Sequence, residues 1–307
     1  MIGLITRSTG SWYDVKAESG EAYQCRLRGK IKLKGAKVTN PVAVGDRVKF
    51  FQAEGEPGMG LIEEVMPREN YVTRKSTHKT GHAHLIASNL DQVVLIVTLK
   101  MPKTSTGFID RFLVTAESFR IPAALVFNKQ DLLNEDDKRL QEELFEVYAS
   151  LKYHCIAVSA KENINLDQFA ALLDHKVSLL SGHSGSGKST LINKLKPELN
   201  LKTGSVSEFA NKGKHTTTYA EMFSLGDSTS IIDTPGIKEF GLIDIEDEEL
   251  SHFFPEMRER FGACKYYNCM HLQEPKCAVR AAVEEGEIAL SRYYNYLSML
   301  ENEDNRR

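Results

Sequence analysis

A glycine-rich segment carries residue types that bind phosphate. Residues 182–189 read Gly-His-Ser-Gly-Ser-Gly-Lys-Ser, which matches the pattern G-x-x-x-x-G-K-[ST]. Glycines in such a loop let successive backbone N–H groups turn toward phosphate oxygens at a helix N-terminus. We expect Lys188 to reach the β- and γ-phosphates and Ser189 to ligate Mg²⁺. The sequence also predicts the required context, an apolar strand before the loop and a helix after it.

A second candidate for the Mg²⁺ site is Asp233, which follows another predicted strand. It opens the tetrapeptide Asp-Thr-Pro-Gly that ends at Gly236. An aspartate here can hold the Mg²⁺ shell, and the glycine N–H can sense the γ-phosphate. Taken alone, these four residues are also compatible with a simple Pro-Gly turn.

Two short motifs upstream of the phosphate loop have the chemistry of guanine recognition. Residues 128–131 read Asn-Lys-Gln-Asp and residues 159–161 read Ser-Ala-Lys, each directly after a predicted strand. The Asp131 carboxylate can accept hydrogen bonds from guanine N1–H and its exocyclic amine, whereas adenine lacks that donor pair. We expect Asn128 to tie loops together and Lys129 to lie along the base. Neither motif is specific by itself.

Three cysteines and a histidine near the C-terminus have a spacing typical of a metal site. Cys264, Cys269, His271 and Cys277 supply three thiolates and one imidazole, the ligands of a structural Cys₃His zinc site. Such a closed set leaves no position for a catalytic water, so we expect a structural role. Buried free cysteines are the alternative, and Cys25 and Cys155 are interpreted in that way.

Composition and charge are consistent with a globular protein that binds a polyanion. The 307 residues are 41% apolar and 26% charged, with no apolar run long enough to span a membrane and no signal-like N-terminus, so we expect a cytoplasmic protein. The net charge is −3, but residues 1–80 contain 14 Lys and Arg against 9 Asp and Glu. A basic surface suits RNA phosphates, and a solvated face is the alternative. The candidates are Arg26, Arg28, Lys30, Lys32, Lys34 and Lys37.

Hydrophobic patterning predicts the elements that position these residues. Five short alternating runs before Pro67 predict a small β-barrel, either an OB-fold or an SH3-like barrel. Trp12 and Tyr13 are interpreted as core aromatics, with stacking on a nucleic-acid base as the alternative. From about residue 90, strands alternate with helices, as in an α/β domain. Each motif then falls at the carboxyl end of a strand. An amphipathic helix is predicted from 278 to 300.

The order of the motifs resembles that of one family. N-K-x-D, S-A-K, the phosphate loop and then D-T-P-G is the order of the circularly permuted GTPases, and the whole chain is similar to the RsgA (YjeQ) family of small ribosomal subunit biogenesis GTPases. The resemblance implies a multidomain α/β fold: an OB-like barrel (1–67), a circularly permuted GTPase domain (68–243) and a zinc-binding helical domain (244–307).

The resemblance also implies a set of site residues. Thr216 or Thr217 closes over Mg²⁺ and the γ-phosphate, Thr217 being favoured. Because Ile237 follows the D-T-P-G motif, where Ras-like enzymes carry a water-positioning glutamine, the resemblance suggests His215 as the substitute; a histidine simply exposed on the switch is the alternative. Magnesium is expected at Ser189, Thr217 and Asp233, and catalysis at His215, Lys188 and Thr217. The expected GTP contacts are Asn128, Lys129, Asp131, Ser159, Ala160, Lys161, Gly182, His183, Ser184, Gly185, Ser186, Gly187, Lys188, Ser189, Thr190, Thr216, Thr217, Asp233 and Gly236.

The function that follows is GTP hydrolysis by a monomer that assists late assembly of the small (30S) subunit. The resemblance implies binding to 16S ribosomal RNA, hydrolysis stimulated by the subunit, and no membrane partner. An RNA-binding assembly scaffold with a structural nucleotide is the main alternative. An ATPase or a small-molecule kinase is another, since the phosphate loop alone does not select the base.

Overall fold

Five N-terminal strands close into a barrel. The computed structural model describes residues 1–29, 40–75, 83–202, 220–226, 228–233 and 245–301. The barrel strands are β1 (Ile2–Ser8), β2 (Tyr13–Ala17), β3 (Ala22–Leu27), β4 (Arg47–Gln52) and β5 (Met59–Val65). They pair in the order β1-β2-β3-β5-β4, and β4 returns to β1. Only the β3–β5 pair is parallel among these. This confirms the predicted OB-like barrel.

The barrel core follows the strand alternation, with one exception to the expectations. Tyr13 is buried, and its hydroxyl donates to Asn40 Oδ1 at 2.6 Å. Trp12 is instead half-buried, and the Arg26 guanidinium lies 3.7 Å from its ring centroid. The interpretation of Trp12 as a core aromatic was therefore wrong, because β2 begins with Tyr13 facing the core and Trp12 lies just before the strand, where its ring packs on Arg26.

A largely parallel sheet forms the middle of the chain. In chain order its elements are β8 (Gln92–Val97), α1 (Thr106–Ser118), β9 (Ala123–Phe127), α2 (Glu135–Ser150), β10 (His154–Ala157), α3 (Leu166–Leu173), β11 (Val177–Ser181), α4 (Lys188–Leu195), β12 (Glu221–Ser224) and β13 (Ser230–Asp233). The strand order is β10-β9-β8-β11-β13-β12, with only β12 antiparallel to its neighbour β13. The winding direction reverses between β8 and β11, which opens a crevice at their carboxyl ends.

Helices cover both faces of this sheet. Along β8, Val93, Leu95 and Val97 belong to the core that includes residues of α1 and α2, while Val94 and Ile96 belong to the core that includes residues of α3 and α4. Burial on both faces explains why these parallel strands read as continuous apolar runs. The sheet is thereby held rigid beneath its carboxyl edge.

The barrel meets the segment that follows it at a buried ion pair. Asp46 is fully buried and accepts from Arg68 Nε at 2.6 Å, Ser88 Oγ at 2.6 Å and the Ala43 N–H at 2.8 Å. Ser88 ends a hairpin of β6 (Tyr71–Lys75) and β7 (Ala83–Ser88), which the sequence analysis did not predict. A separate pairing of β1 with β12 joins the barrel to the parallel sheet.

The C-terminal part is helical. A 3₁₀ segment (Asp247–Phe253) precedes α5 (Pro255–Arg258), α6 (Ala278–Glu284) and α7 (Leu290–Leu300). The prediction of one helix over 278–300 was wrong, since Gly286 adopts φ +78° between α6 and α7. A left-handed glycine just after a helix is a common terminator. In the part of the chain that the structure describes, no helix is both long and apolar enough to cross a membrane.

A buried charged network fixes the C-terminal helices to the sheet domain. Arg292 of α7 donates to Asp110 Oδ1 of α1 at 2.7 Å and to Glu256 Oε1 of α5 at 2.7 Å. Asp110 also accepts from Tyr148 at 2.9 Å and from Asn295 at 2.6 Å. Arg292 and Asp110 are essentially inaccessible to solvent. Each charge has its partners, which offsets the cost of burial.

We expect Arg292→Ala to lower the free energy of unfolding by about 3–5 kcal/mol, because it leaves two carboxylates buried without their counter-charge. Arg139→Ala is the control. Its ion pair with Asp136 lies on the surface at 3.9 Å, where such a pair contributes about 0–1 kcal/mol. Thermal unfolding of both variants checks this, and equal melting temperatures would contradict it.

Candidate functional site

The predicted phosphate loop lies at the crevice between β8 and β11. It follows β11 and leads into α4, which begins at Lys188. Gly187 has φ +96°, and a Cβ there would lie 2.3 Å from Asn128 Nδ2. A Cβ on Gly182 would lie 2.6 Å from the Ile96 carbonyl oxygen of β8. Glycine at these two positions therefore lets the loop pack directly on the neighbouring strand and on the N-K-x-D motif.

Lys188 is held inside this loop. Its Nζ donates to the Gly182 carbonyl at 2.6 Å and to the His183 carbonyl at 3.1 Å. Burial lowers the pKa of Lys188, and the negative charge of Asp233 opposes that shift. Ser189 and Thr190 follow in the first turn of α4. Ser184 is exposed, and the His183 ring packs against Phe108 with centroids 4.2 Å apart.

Asn128 joins the phosphate loop to the S-A-K loop. It is 2% exposed, its Nδ2 donates to the Ser186 carbonyl at 2.8 Å, and its Oδ1 accepts from the Ala160 N–H at 3.2 Å. Its own N–H donates to the Val97 carbonyl at the end of β8. Asn128, which follows β9, thus contacts the end of β8 through its backbone, and its side chain connects the loop after β10 to the turn into α4.

Asp131 faces the S-A-K loop from the short 3₁₀ turn Gln130–Leu132. Its Oδ1 accepts from Ser159 Oγ at 2.6 Å, and the Lys161 ammonium lies 3.9 Å from its Oδ2. Ser159 Oγ in turn accepts from the Glu162 N–H at 3.1 Å. The carboxylate is therefore oriented by the loop that the sequence analysis assigned to the same base.

Lys129 contacts a loop that the sequence analysis did not single out. Its backbone is left-handed, with φ +68°, and its Nζ donates to the Met101 carbonyl. Burial lowers the pKa of Lys129, while the Asp131 charge opposes the shift. The missed partner is a backbone carbonyl, which leaves no signal in residue type or spacing.

Asp233 ends β13 and pairs in register with Leu180, two residues before the phosphate loop. The parallel strands therefore bring the predicted Mg²⁺ residues Asp233 and Ser189 to the same edge of the sheet. The remaining predicted switch residues lie outside the described residues. They are His215, Thr216, Thr217 and Gly236.

The four predicted metal ligands form one cluster. The ligand atoms of Cys264, Cys269, His271 and Cys277 all lie within 4.8 Å of one another. Cys264 Sγ is 3.9 Å from Cys277 Sγ, and His271 Nδ1 is 3.4 Å from Cys277 Sγ. Sulfur atoms arranged tetrahedrally at about 2.3 Å from a zinc ion are about 3.8 Å apart, so the cluster fits that metal.

Backbone N–H donors and the hydroxyl of Tyr293 hold the metal-ligand cluster in place. The Ala278 N–H donates to Cys264 Sγ at 3.3 Å and the Arg280 N–H to Cys277 Sγ at 3.4 Å, which favours thiolates. The Tyr293 hydroxyl donates to the His271 carbonyl at 2.6 Å. The first turn of α6 and the side chains of α7 therefore hold the cysteine loop in place.

Two family models match the chain. The model of the RsgA GTPase matches residues 65–243, and that of the RsgA N-terminal domain matches residues 2–61. The chain belongs to the RsgA GTPase family. It is therefore a GTPase, as its guanine and phosphate motifs predicted.

Relatives match over essentially their whole length. A protein of Cytophaga hutchinsonii named small ribosomal subunit biogenesis GTPase RsgA is 53% identical over 310 aligned positions, covering 100% of both chains. One of Christiangramia forsetii with the same name is 51% identical over 305 residues, covering 99% of this chain and 97% of its own.

Two solved structures share the fold. YjeQ from Thermotoga maritima superposes with a TM-score of 0.77 at 38% identity, covering 100% of this chain and 99% of its own. YloQ, described as a circularly permuted GTPase, has a TM-score of 0.73 at 29% identity, covering 100% and 96%. The predicted permuted motif order is confirmed.

Two of the six basic candidates of this RsgA-family chain lie in the described part. Arg26 stacks on Trp12, and the Arg28 guanidinium is 3.0 Å from Glu63 in an exposed pair. Both side chains lie on β3 or directly after it. Lys30, Lys32, Lys34 and Lys37 lie outside the described residues.

We expect Asn128→Ala to weaken GDP binding about 10- to 100-fold, since it removes both hydrogen bonds that join the two loops. Titration with a fluorescent GDP measures this. Asn295→Ala is the control, because it also removes a buried asparagine hydrogen bond, at 2.6 Å, but in α7. GDP affinity unchanged in Asn128→Ala, or equally reduced in both variants, would contradict the prediction.

Proposed function

We propose that this chain is a small ribosomal subunit biogenesis GTPase that binds the subunit in its GTP state and leaves after hydrolysis. The observation that carries the proposal is the Asn128 side chain, which joins the phosphate loop to the S-A-K loop beside Asp131. Full-length relatives at about half identity carry that name. The chain acts as a monomer in the cytoplasm.

Guanine recognition falls to Asp131 and its neighbours. The carboxylate accepts from N1–H and the exocyclic amine of the base, and the backbone of the S-A-K loop contacts the guanine oxygen. Ser159 already donates to Asp131 at 2.6 Å, so the carboxylate is oriented before the base arrives. Adenine would leave this acid without its donors, which costs binding energy.

The phosphates and Mg²⁺ are bound by the phosphate loop and by Asp233. Backbone N–H groups of the phosphate loop cradle the phosphates at the start of α4. The negative charge of Asp233 favours the charged form of Lys188, and the Lys188 ammonium neutralises phosphate charge. Ser189, Asp233 and Thr217 would hold Mg²⁺, which supplies charge stabilisation during phosphoryl transfer. Thr216 is the alternative to Thr217.

Hydrolysis depends on the partner. Ile237 stands where Ras-like enzymes have a glutamine, and an isoleucine cannot orient water, so intrinsic turnover is slow. We assign water positioning to His215. The sequence runs from Asp233 through this region directly into the C-terminal helices, so binding of the subunit there has a covalent connection to the catalytic residues.

The outer domains contact the subunit. The barrel (1–67) binds 16S ribosomal RNA through Arg26, Arg28 and the lysines that follow, and the C-terminal domain (244–307) is stabilised by one structural zinc. Arg26 is stacked on Trp12, which leaves a planar cationic face at the barrel surface. Such a face suits phosphates and unstacked bases. The GTPase domain spans 68–243.

The test is GTP turnover by the purified chain, with and without isolated 30S subunits and with ATP as a control. We expect slow GTP-specific hydrolysis that the subunit accelerates by roughly two orders of magnitude or more, as partner-completed GTPase sites do. Turnover that is indifferent to the subunit would contradict the coupling. ATP turnover at a similar rate would contradict guanine recognition.

Variants sharpen this measurement. Asp131→Asn removes one acceptor and adds a donor, so GTP affinity falls about 100-fold while XTP, with a carbonyl in place of the amine, binds better. Asp136→Asn is the matched control, because its carboxylate is exposed on α2. Cells that mature small subunits normally with a Lys188→Ala chain would favour the scaffold instead.

We expect about one zinc per purified chain, bound by Cys264, Cys269, His271 and Cys277. Cys277→Ser loses the metal and lowers the melting temperature, because metal binding at such a site is coupled to folding. Cys155→Ser keeps the metal, since that half-buried thiol lies outside the cluster. Elemental analysis measures the zinc content of each variant, and thermal unfolding measures its melting temperature. Zinc retained by Cys277→Ser would contradict the assignment.

A further inference from the structure

The loop between β8 and α1, residues 98–105, lies against the guanine motif. Met101 of this β8–α1 loop accepts a hydrogen bond from Lys129 Nζ through its backbone carbonyl. The Met101 side chain is 68% exposed. The contact therefore uses the backbone of the loop, and it connects two segments 28 positions apart in sequence.

Threonines at both ends fix the shape of the loop. Thr98 Oγ1 donates to the Pro102 carbonyl at 2.5 Å, and the Thr98 N–H donates to Thr104 Oγ1 at 3.1 Å. The Thr104 N–H donates back to the Thr98 carbonyl at 2.7 Å. Thr98 and Thr104 are almost completely buried. The carbonyl of Met101 thus projects from a closed, hydrogen-bonded loop.

An ion pair attaches the loop to the helix that follows the guanine motif. Lys100 is paired with Asp137 of α2. Asp137 also accepts from the Asn134 N–H at 2.9 Å, as part of the capping box of α2. The hydrogen bond from Lys100 holds the pKa of Asp137 below its usual value. The loop is therefore held by its own strand and by α2.

We propose that the β8–α1 loop is a positioning element of the nucleotide site: the Met101 carbonyl anchors the Lys129 ammonium and holds the methylene stem of Lys129 in place along the guanine ring. The inference rests on the proposed guanine site. Its residues would act through Lys129 and not by touching the base.

The physical reason is the freedom of a lysine side chain. Ordering one costs up to about 2 kcal/mol of rotamer entropy. Lys129 leaves the backbone from a left-handed residue, and its ammonium is satisfied by a carbonyl. That cost is met when the protein folds, so it does not reduce nucleotide affinity. Releasing the loop restores the rotamer freedom of the Lys129 side chain, and nucleotide binding then has to order that side chain.

The test is the dissociation rate of fluorescent GDP from full-length variants. The loop-release variant is Thr98→Val with Lys100→Met, and Lys100→Met alone serves if the double variant does not fold. We expect dissociation about 10-fold faster in the former and a smaller acceleration in the latter. Lys103→Met removes a charge from the same loop, and Met101→Ala keeps the carbonyl. Both should leave the rate unchanged.

A double-mutant cycle separates positioning from a general effect on the fold. In a Lys129→Met background, loop release should cause no further acceleration, because the anchored group is gone. Equal acceleration in both backgrounds, or none in the wild-type background, would overturn the proposal. A wild-type chain that binds no GDP would instead overturn the guanine site itself.

Discussion

The side-chain amide of Asn128 is the interaction on which the nucleotide site depends. It is buried at the carboxyl edge of the sheet and spans the Ser186 carbonyl and the Ala160 N–H. Buried polar groups are costly to leave unpaired. Neither the phosphate loop nor the S-A-K loop can therefore shift without breaking a hydrogen bond in a low-dielectric environment. Asp131 and Lys188, which we propose contact the base and the phosphates, thus lie in a fixed relation, although 57 positions separate them in the sequence.

Permutation changes which parts of the chain this site can influence. The crevice still lies between β8 and β11, where the winding direction of the sheet reverses. The chain, however, continues from Asp233 toward the C-terminal helices. Those helices are fixed to α1 by the buried Arg292–Asp110 pair, which is expensive to break. The barrel is joined to the same sheet by the backbone pairing of β1 with β12.

Local patterns predicted the local structure well. The five strands predicted before Pro67 form the barrel, and strands alternate with helices from about residue 90 as predicted, because apolar alternation and turn residues define these elements. Long-range contacts left no such pattern. The β6–β7 hairpin was missed, the helix predicted over 278–300 is broken at Gly286, and Trp12 faces outward. The Met101 carbonyl was not predicted because every residue type has a backbone carbonyl. The Asp46–Arg68 pair was not predicted because it joins elements that are separate in the sequence.

The most direct test of the central claim is a crystal structure of the chain with GDP and Mg²⁺. We expect the guanine N1–H and exocyclic amine within hydrogen-bond distance of the Asp131 carboxylate. We also expect the β-phosphate within the loop Gly182–Ser189 and the Asn128 bonds to Ser186 and Ala160 intact. A base bound away from Asp131, or a complex in which Asn128 no longer joins the two loops, would contradict the account.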